Sequence, residues 1–155
     1  MSLIFSNHFP YKSIQNAKYR YTYIIGIGGN IGNVKLRFDM LFKNLSNNNK
    51  FTILQTSPLL INPPFGYLEQ DDFINGIMQI NTSLPLLKFL KSMQKLELRY
   101  GRKRSFKDAP RTLDIDIIFA KNKQKTLSIN HKDLIIPHPS WKQRESVTIP
   151  LEYIK

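Results

Sequence analysis

The stretch Arg111-Thr112-Leu113-Asp114-Ile115-Asp116-Ile117-Ile118 alternates apolar and acidic residues with a period of two. Successive side chains of a β-strand point to opposite faces, so we expect Asp114 and Asp116 to project together while the apolar residues between them enter the core. Two carboxylates on one strand face can hold a divalent cation, and hard oxygen ligands favour Mg²⁺. An exposed sheet edge that happens to be acidic would give the same pattern. The alternation predicts the strand and leaves both interpretations of its acidic face open.

Basic residues cluster on the approach to this strand. Arg111 precedes the carboxylates, and Arg102, Lys103 and Arg104 lie shortly before it. Guanidinium groups offer forked donors to phosphate oxygens, so cations beside a metal-binding pair are typical of a nucleotide triphosphate site. A surface network of ion pairs is the alternative, although it would not need Pro110 to stiffen the entry to Arg111. Together the two features favour a magnesium-dependent transferase.

Length and composition limit the class of protein. The 155 residues suffice for one domain, which we place at residues 19–155, with residues 1–18 as a mobile N-terminal extension. The absence of cysteine excludes disulfides and thiolate metal sites and is typical of a reducing compartment, here the cytoplasm. Apolar runs fall far short of the ~20 residues that span a bilayer, so no membrane association is expected.

The net charge of +12 would attract polyanions, either nucleic acid or nucleotide phosphates. An RNA-binding module with a ferredoxin-like fold is one interpretation. Such a module would need exposed aromatic residues on its central strands, whereas the acidic strand presents Asp114 and Asp116, which repel phosphate unless a metal is bound. We therefore expect no nucleic-acid partner.

Hydrophobic periodicity predicts the order strand, helix, strand, strand, helix, strand. This order is typical of an α+β protein with a ferredoxin-like antiparallel sheet and helices packed on it. Asn33 is placed to cap the first helix and Ser83 the second, and the end of the chain looks irregular. The first predicted helix starts near Val34, and the second starts after Ser83 and ends at Gly101. The predicted strands are Tyr19–Ile27, Phe51–Leu60 (interrupted by Pro58), Phe73–Thr82, Leu113–Ala120 and a short one near Thr126–Ile129.

Several separated motifs accompany the segment from Lys107 to Ile118. They are Gly26-Ile27-Gly28-Gly29-Asn30, Asn62-Pro63-Pro64-Phe65-Gly66, Asp72-Phe73-Ile74-Asn75, Glu97 with Gly101-Arg102, and Ile136-Pro137-His138. In this order the chain resembles the 6-hydroxymethyl-7,8-dihydropterin pyrophosphokinase (HPPK) family over about residues 21 to 154. The resemblance implies transfer of diphosphate from ATP to the hydroxymethyl group of the pterin in folate biosynthesis, by attack on the β-phosphorus and with release of AMP.

The resemblance also implies roles for individual residues. Asp114 and Asp116 match the ligands of two magnesium ions, and Arg102 and Arg111 match arginines that assist transfer. Nucleotide-binding positions are Gln94, Glu97, Arg102, Arg111, Ile117, His138 and Arg144. Pterin-binding positions are Asn62, Pro63, Phe65, Phe73, Asn75 and Asp114. From the residues alone, Phe73 and Asn75 at spacing i, i+2 can offer an aromatic face and a paired donor and acceptor to a flat heterocycle, with plain core packing as the alternative for Phe73.

Some features depart from the family pattern. Relatives often place a stacking Phe just after the position of Arg144, where Glu145-Ser146 stand here, so we expect another aromatic residue to cover the second face of the ring. The candidates are Phe65, Tyr67, Phe106 and Trp141. The loop 102–110 is expected to close over ATP, the protein to be a monomer, and dihydropteroate synthase to be a contact partner. A nucleotidyltransferase acting on a different acceptor is the remaining alternative.

Overall fold

The computed structural model describes residues 1–103 and 105–155, so Arg104 of the basic cluster lies outside the described residues. The described residues form a mainly antiparallel sheet, a two-stranded hairpin and three α-helices. The strands are β1 (Ser2–Ile4), β2 (Tyr11–Lys12), β3 (Tyr21–Gly29), β4 (Phe51–Thr56), β5 (Leu59–Asn62), β6 (Phe73–Thr82), β7 (Asp114–Asn122), β8 (Lys125–Thr126), β9 (Ile129–His131) and β10 (Leu134–Ile136). The helices are α1 (Val34–Ser46), α2 (Leu86–Arg99) and α3 (Glu145–Leu151). The predicted α+β class is confirmed.

Strand β3 lies at the centre of the sheet, between β6 and β7, and both pairs are antiparallel. Its sequence is rich in β-branched and aromatic residues until it ends in glycines, which fits a buried central strand. On the outer side of β6 the sheet continues with β4 and with β5. This arrangement brings β6 and β7, which carry the predicted acceptor and metal residues, within two strand spacings of each other.

Helices α1 and α2 bury one face of the sheet. Asn33 caps α1 as predicted, because its side-chain oxygen accepts a hydrogen bond from the Leu36 amide at 3.1 Å. Phe38 and Leu41 of this helix are fully buried in the main core. On the opposite face, α3 packs against β5 and β6 and forms a smaller cluster through Val147. Because α3 covers only part of that face, the rest stays open above β3.

The prediction for the start of α2 is wrong. Pro85, and not Ser83, occupies the N-cap of α2, and its side chain offers no cap bond. Thr82 instead accepts the Leu84 amide just before the helix. The apolar spacing of α2 predicts a buried face, and that face does pack against the core: Leu86, Leu90, Met93, Leu96 and Tyr100. It does not include Phe89, which is fully buried and stacks on Tyr23 with ring centroids 4.0 Å apart.

The C-terminal third is more regular than predicted. Strands β9 and β10 form a hairpin, and α3 follows a 3₁₀ turn at Trp141–Gln143. The strand predicted near 126–129 is divided between β8 and β9. Among the described residues, no helix is long and apolar enough to cross a membrane.

The structure also differs from the prediction of a mobile extension over residues 1–18. Strand β1 pairs with β5 and β2 pairs with β4, so both lie within the main sheet. Phe9 between them is fully buried and packs against Phe38 and Phe42 of α1. Burial of a whole aromatic side chain and the pairing of two sheet edges make this segment part of the fold.

Candidate active site

The site is organised around a row of residues that crosses three strands at the open face of the sheet. Gly28 of β3 lies directly opposite Asn75 of β6 on one side and opposite Asp114 of β7 on the other. Residues directly opposite in an antiparallel sheet share a face, so the amide and the carboxylate flank a glycine floor roughly 10 Å apart between Cα atoms. A side chain at position 28 would collide with the Asn75 amide. Glycine therefore keeps the row open for a ligand.

The predicted alternation of β7 is confirmed. Ile115 and Ile117 are buried in the core, while Asp114 and Asp116 face the open side, opposite Gly28 and Gly26. Two residues along a strand separate the carboxylates by about 6.6 Å at Cα, a distance at which converging side chains can share a cation. Along Asp114 and Asp116, β7 pairs with β3 on one side only, because its pairing with β8 involves just Lys121 and Asn122 at the far end of the strand.

Both predicted arginines contact Asp114. Arg102 donates to Oδ1 at 2.7 Å and Arg111 to Oδ2 at 3.1 Å. Arg102 also donates to Oε2 of Glu97 at 2.5 Å, and the same oxygen accepts the Ile115 amide at 2.7 Å. Glu97 is only 7% exposed, so it acts as a buried acceptor that fixes Arg102 and the start of β7 together.

Electrostatics at the second aspartate favour a cation. Burial and the negative charge of Asp114 together raise the pKa of Asp116 to about 7, against the opposing effect of Arg144. Within the described residues no cation lies at ion-pair distance from Asp116. A half-buried carboxylate in this situation fits a metal ligand. No cluster of three or more metal-binding side chains occurs in the described part of the chain, so an ion held here would take further oxygens from water or substrate.

A cavity of about 350 Å³ lies over the row, with Asn75, Gly28 and Asp114 in its wall. Arg111, Asp116 and Arg144 line this cavity. It is also lined by all six residues predicted to bind the pterin, namely Asn62, Pro63, Phe65, Phe73, Asn75 and Asp114. This volume suits a small heterocycle.

Within this cavity the polar and aromatic groups are ordered by neighbours. Asn75 donates from Nδ2 to Oδ1 of Asn62 at 2.5 Å, and Asn62 donates to the carbonyl of Pro63 at 3.2 Å. Phe73 is 8% exposed, and the Arg111 guanidinium lies 5.2 Å from its ring centroid. Phe73 is therefore both buried and part of the cavity wall, so the two interpretations of this residue are not exclusive.

Of the four aromatic candidates for the second face of a bound ring, Phe65 lines the cavity and is 77% exposed. The other three do not line it. Tyr67 and Phe106 pack edge to face with each other, and Trp141 packs edge to face on Phe119. Phe65 is thus the candidate that the structure leaves available.

A second cavity of about 370 Å³ lies on the α2 side of β7 and includes the two aspartates in its wall. Its lining contains the remaining nucleotide positions except Arg111 and Arg144, namely Gln94, Glu97, Arg102, Ile117 and His138. The side chain of His138 accepts the Ser140 amide at Nδ1, so the neutral ring carries its proton on Nε2. Burial and the charge of Arg144 lower the pKa of His138, which favours this neutral donor form.

Two cavities that meet at a carboxylate pair match a transferase with two substrates. The sequence profile of the family described as 7,8-dihydro-6-hydroxymethylpterin-pyrophosphokinase (HPPK) matches residues 24–155. The chain belongs to this family. Relatives named 2-amino-4-hydroxy-6-hydroxymethyldihydropteridine pyrophosphokinase include a Campylobacter jejuni protein, 43% identical over 96% of this chain and 92% of its own length. The Helicobacter pylori protein of that name is 39% identical over 96% and 90%, and the Bacillus subtilis one is 32% identical over 84% and 75%.

The structure adds a residue that sequence reasoning placed only within a glycine motif of the HPPK family. Asn30, which is 7% exposed, donates to Gln70 Oε1 at 2.8 Å and to the Asp71 carbonyl at 2.9 Å, and it accepts the Arg111 amide at 3.0 Å. Gln70 in turn donates to the carbonyl of Asp108 at 2.8 Å. Asn30 therefore joins the glycine turn, the loop after β5 and the segment that carries Arg111. A buried amide directly after a glycine turn is the sequence signal that could have identified it.

Proposed function

We propose that this protein transfers diphosphate from ATP to the hydroxymethyl group of 6-hydroxymethyl-7,8-dihydropterin and releases AMP, as a step of folate biosynthesis. Its family and its relatives are named for this reaction. The observation that carries the proposal is that two cavities, one lined by the pterin positions and one by nucleotide positions, share Asp114 and Asp116. Donor and acceptor would meet over these carboxylates.

The acceptor would bind in the cavity above Gly28. Asn75 offers an amide to the polar edge of the ring, and Phe73 and Phe65 offer aromatic surface to its two faces. Pro63, next to Asn62 in the loop after β5, restricts the backbone there, so carbonyl and amide groups of the loop can be held in fixed positions. Asp114 at the other end of the row lies where the hydroxymethyl group would point.

ATP would bind in the second cavity. His138 can donate from Nε2, and Gln94 adds a further polar group, while Ile117 gives the wall an apolar surface. Arg144 lines the neighbouring cavity, close enough to Asp116 to lower its pKa, and can reach phosphate from that side. The positive charges at this point favour a triphosphate.

Asp114 and Asp116 would hold two Mg²⁺ ions, which would neutralise phosphate charge and lower the pKa of the attacking hydroxyl. Arg102 and Arg111 pair with Asp114 here, and in the ternary complex their forked donors would bind the phosphates. Glu97 would keep Arg102 in place when the arginine exchanges Asp114 for phosphate, because the contact of Glu97 with the start of β7 is independent of the substrate. Closure of the loop 102–110 over ATP would exclude water.

The deciding experiment is an assay with ATP, Mg²⁺ and 6-hydroxymethyl-7,8-dihydropterin, scored for AMP. Release of AMP with formation of the pterin diphosphate supports the proposal, and pyrophosphate as the leaving product would support a nucleotidyltransferase instead. Asp114→Ala and Asp116→Ala should each remove magnesium-dependent turnover. Near-normal activity in both variants would refute the metal assignment. Tight RNA binding without Mg²⁺ in a filter titration at physiological salt would favour the RNA-binding alternative.

Three broader expectations belong to the same proposal. The order β4, β6, β3, β7 with helices after β3 and β6 supports a ferredoxin-like core. The protein is proposed to act as a cytoplasmic monomer, and sedimentation equilibrium would test its mass. Contact with dihydropteroate synthase is a further prediction, for which co-sedimentation of the two purified enzymes is the direct test.

A further inference from the structure

Strand β1 directly follows Met1, which lines the acceptor cavity, and both lie outside the part of the chain that the family profile matches. It pairs with β5 through Ser2 opposite Ile61, Leu3 opposite Leu60 and Ile4 opposite Leu59. Without β1, strand β5 would be an edge of the sheet, with β6 as its one remaining strand partner. Edge strands with one partner open more readily than paired ones.

The last pair of β1 and β5 adjoins the residues that would read the heterocycle. Asn62 directly follows Ile61, and its Oδ1 accepts the Nδ2 group of Asn75. An Asn amide has an NH₂ end with two donors and an oxygen end that accepts, and this bond uses one donor and directs the NH₂ end of Asn75 towards Asn62. The Oδ1 atom of Asn75 then lies beside Gly28, on the cavity floor. The position of β5 thus sets which end of the Asn75 amide faces a ligand.

The segment after β1 is anchored separately from β1. Phe9 is fully buried, Ser6 donates to Oδ1 of Asp39 at 3.1 Å, and His8 contacts the same oxygen at 3.2 Å. The backbone carbonyl of His8 accepts from Thr56 Oγ1. Removal of residues 2–5 would therefore leave this anchor in place.

We propose that β1 is a positioning element of the acceptor site, which fixes β5 and, through Asn62, the orientation of the Asn75 amide. The inference rests on the proposed function, because it takes the pterin as the ligand of this cavity. The matches with the Campylobacter jejuni and Helicobacter pylori relatives cover 96% of this chain and so include most of residues 1–18.

The test compares the full chain with a variant that lacks residues 2–5 and with Asn62→Ala. Equilibrium binding of the pterin is followed by its fluorescence, with Mg²⁺ and a non-hydrolysable ATP analogue present, and AMP release is measured in parallel. Loss of one oriented hydrogen bond should weaken pterin binding about tenfold in each variant and raise the KM for pterin similarly, with kcat within about twofold. Affinity for the ATP analogue should not change. The variant that combines both changes should bind the pterin no more weakly than either single variant, because both changes act through the same hydrogen bond.

Ser6→Ala is the matched control, because it weakens the anchor away from the cavity and should lower the Tm without changing pterin affinity. Unchanged pterin affinity in the deletion, or parallel loss of pterin affinity, ATP-analogue affinity and Tm, would overturn the positioning role. Additive losses in the combined variant would also overturn it. If the full chain binds the pterin but releases no AMP, the proposed function fails, while the binding comparison still decides the role of β1.

Discussion

Replacement of Asp116 by Asn should make the metal-free protein more stable while it removes activity. The carboxylate is held where burial and the charge of Asp114 raise its pKa from 3.8 to about 7. Above pH 7 the charged carboxylate lowers the free energy of unfolding, because the charge is unfavourable in the folded protein and not in the unfolded chain. The Asn variant has nearly the same shape without the charge, so it avoids this cost.

The magnitude follows from the pKa difference. Each pKa unit corresponds to about 1.4 kcal/mol, so the cost at pH 8 is at most about 4 kcal/mol, and we expect about 2 to 4 kcal/mol to be recovered. For a chain of this length this corresponds to a rise in Tm of roughly 5–12 °C. The folded state binds the proton more tightly than the unfolded state. The cost of the charge is therefore fully present above pH 7, decreases as the pH falls towards 4, and is absent below that.

The assay is thermal and urea unfolding in EDTA at pH 8 and pH 5, with Asp72→Asn as the matched control at an exposed carboxylate. The stabilisation by Asn at position 116 should be large at pH 8 and smaller at pH 5, while the control should change stability by less than about 0.5 kcal/mol at both. Mg²⁺ should stabilise the unaltered protein and not the variant, since only the native carboxylate pair binds the ion. A variant that is less stable than the unaltered protein at pH 8, or a pH-independent difference, would refute this reasoning.

Three other substitutions and one pH profile test the site further. Glu97→Ala should lower the free energy of unfolding by about 1.5–3 kcal/mol in urea titrations and weaken ATP binding, because the Ile115 amide and the Arg102 guanidinium both lose their buried acceptor; unchanged stability would contradict this role. Arg111→Ala should lower kcat about 10²- to 10³-fold in the AMP assay, and Arg111→Lys should recover only part of it, because Lys cannot replace the fork; full activity in the Lys variant would speak against forked binding. Asn75→Ala should raise the KM for pterin at least tenfold and leave the Kd for ATP unchanged, and equal effects on both ligands would contradict its assignment to the acceptor. Mg²⁺ affinity, measured by calorimetry, should fall about tenfold per pH unit below pH 7 as Asp116 takes up a proton, and a flat profile would exclude that group as a ligand.

The elements predicted well were those whose signal is local. The period of two in β7 predicted which face carries Asp114 and Asp116, and β6 has the predicted bounds of Phe73–Thr82. Helix α1 starts where the Asn33 cap and the apolar spacing placed it. In each case neighbouring residues along the chain determine the geometry through strand alternation or helical repeat, and no distant contact is required.

Predictions failed where distant residues decide the conformation. The pattern of residues 1–18 gives little sign of a strand, and these residues are ordered by the open edges of β4 and β5 and by a pocket for Phe9. Similarly, Phe89 became the main core residue of α2 because Tyr23 of β3 offers a stacking surface. Such partners are far away in sequence, so local propensity does not identify them.

The sequence by itself determined the acidic strand, the basic residues beside it and the motifs that indicate the family. Only the tertiary structure decided that Asn75, Gly28 and Asp114 lie in one row and that two cavities meet at the carboxylates. The physical reason is register: the pairing of β3 with β6 and β7 fixes which residues lie opposite each other, and a shift by one residue would turn each side chain to the other face. That pairing depends on the packing of the whole sheet against its helices, which no single stretch of sequence encodes.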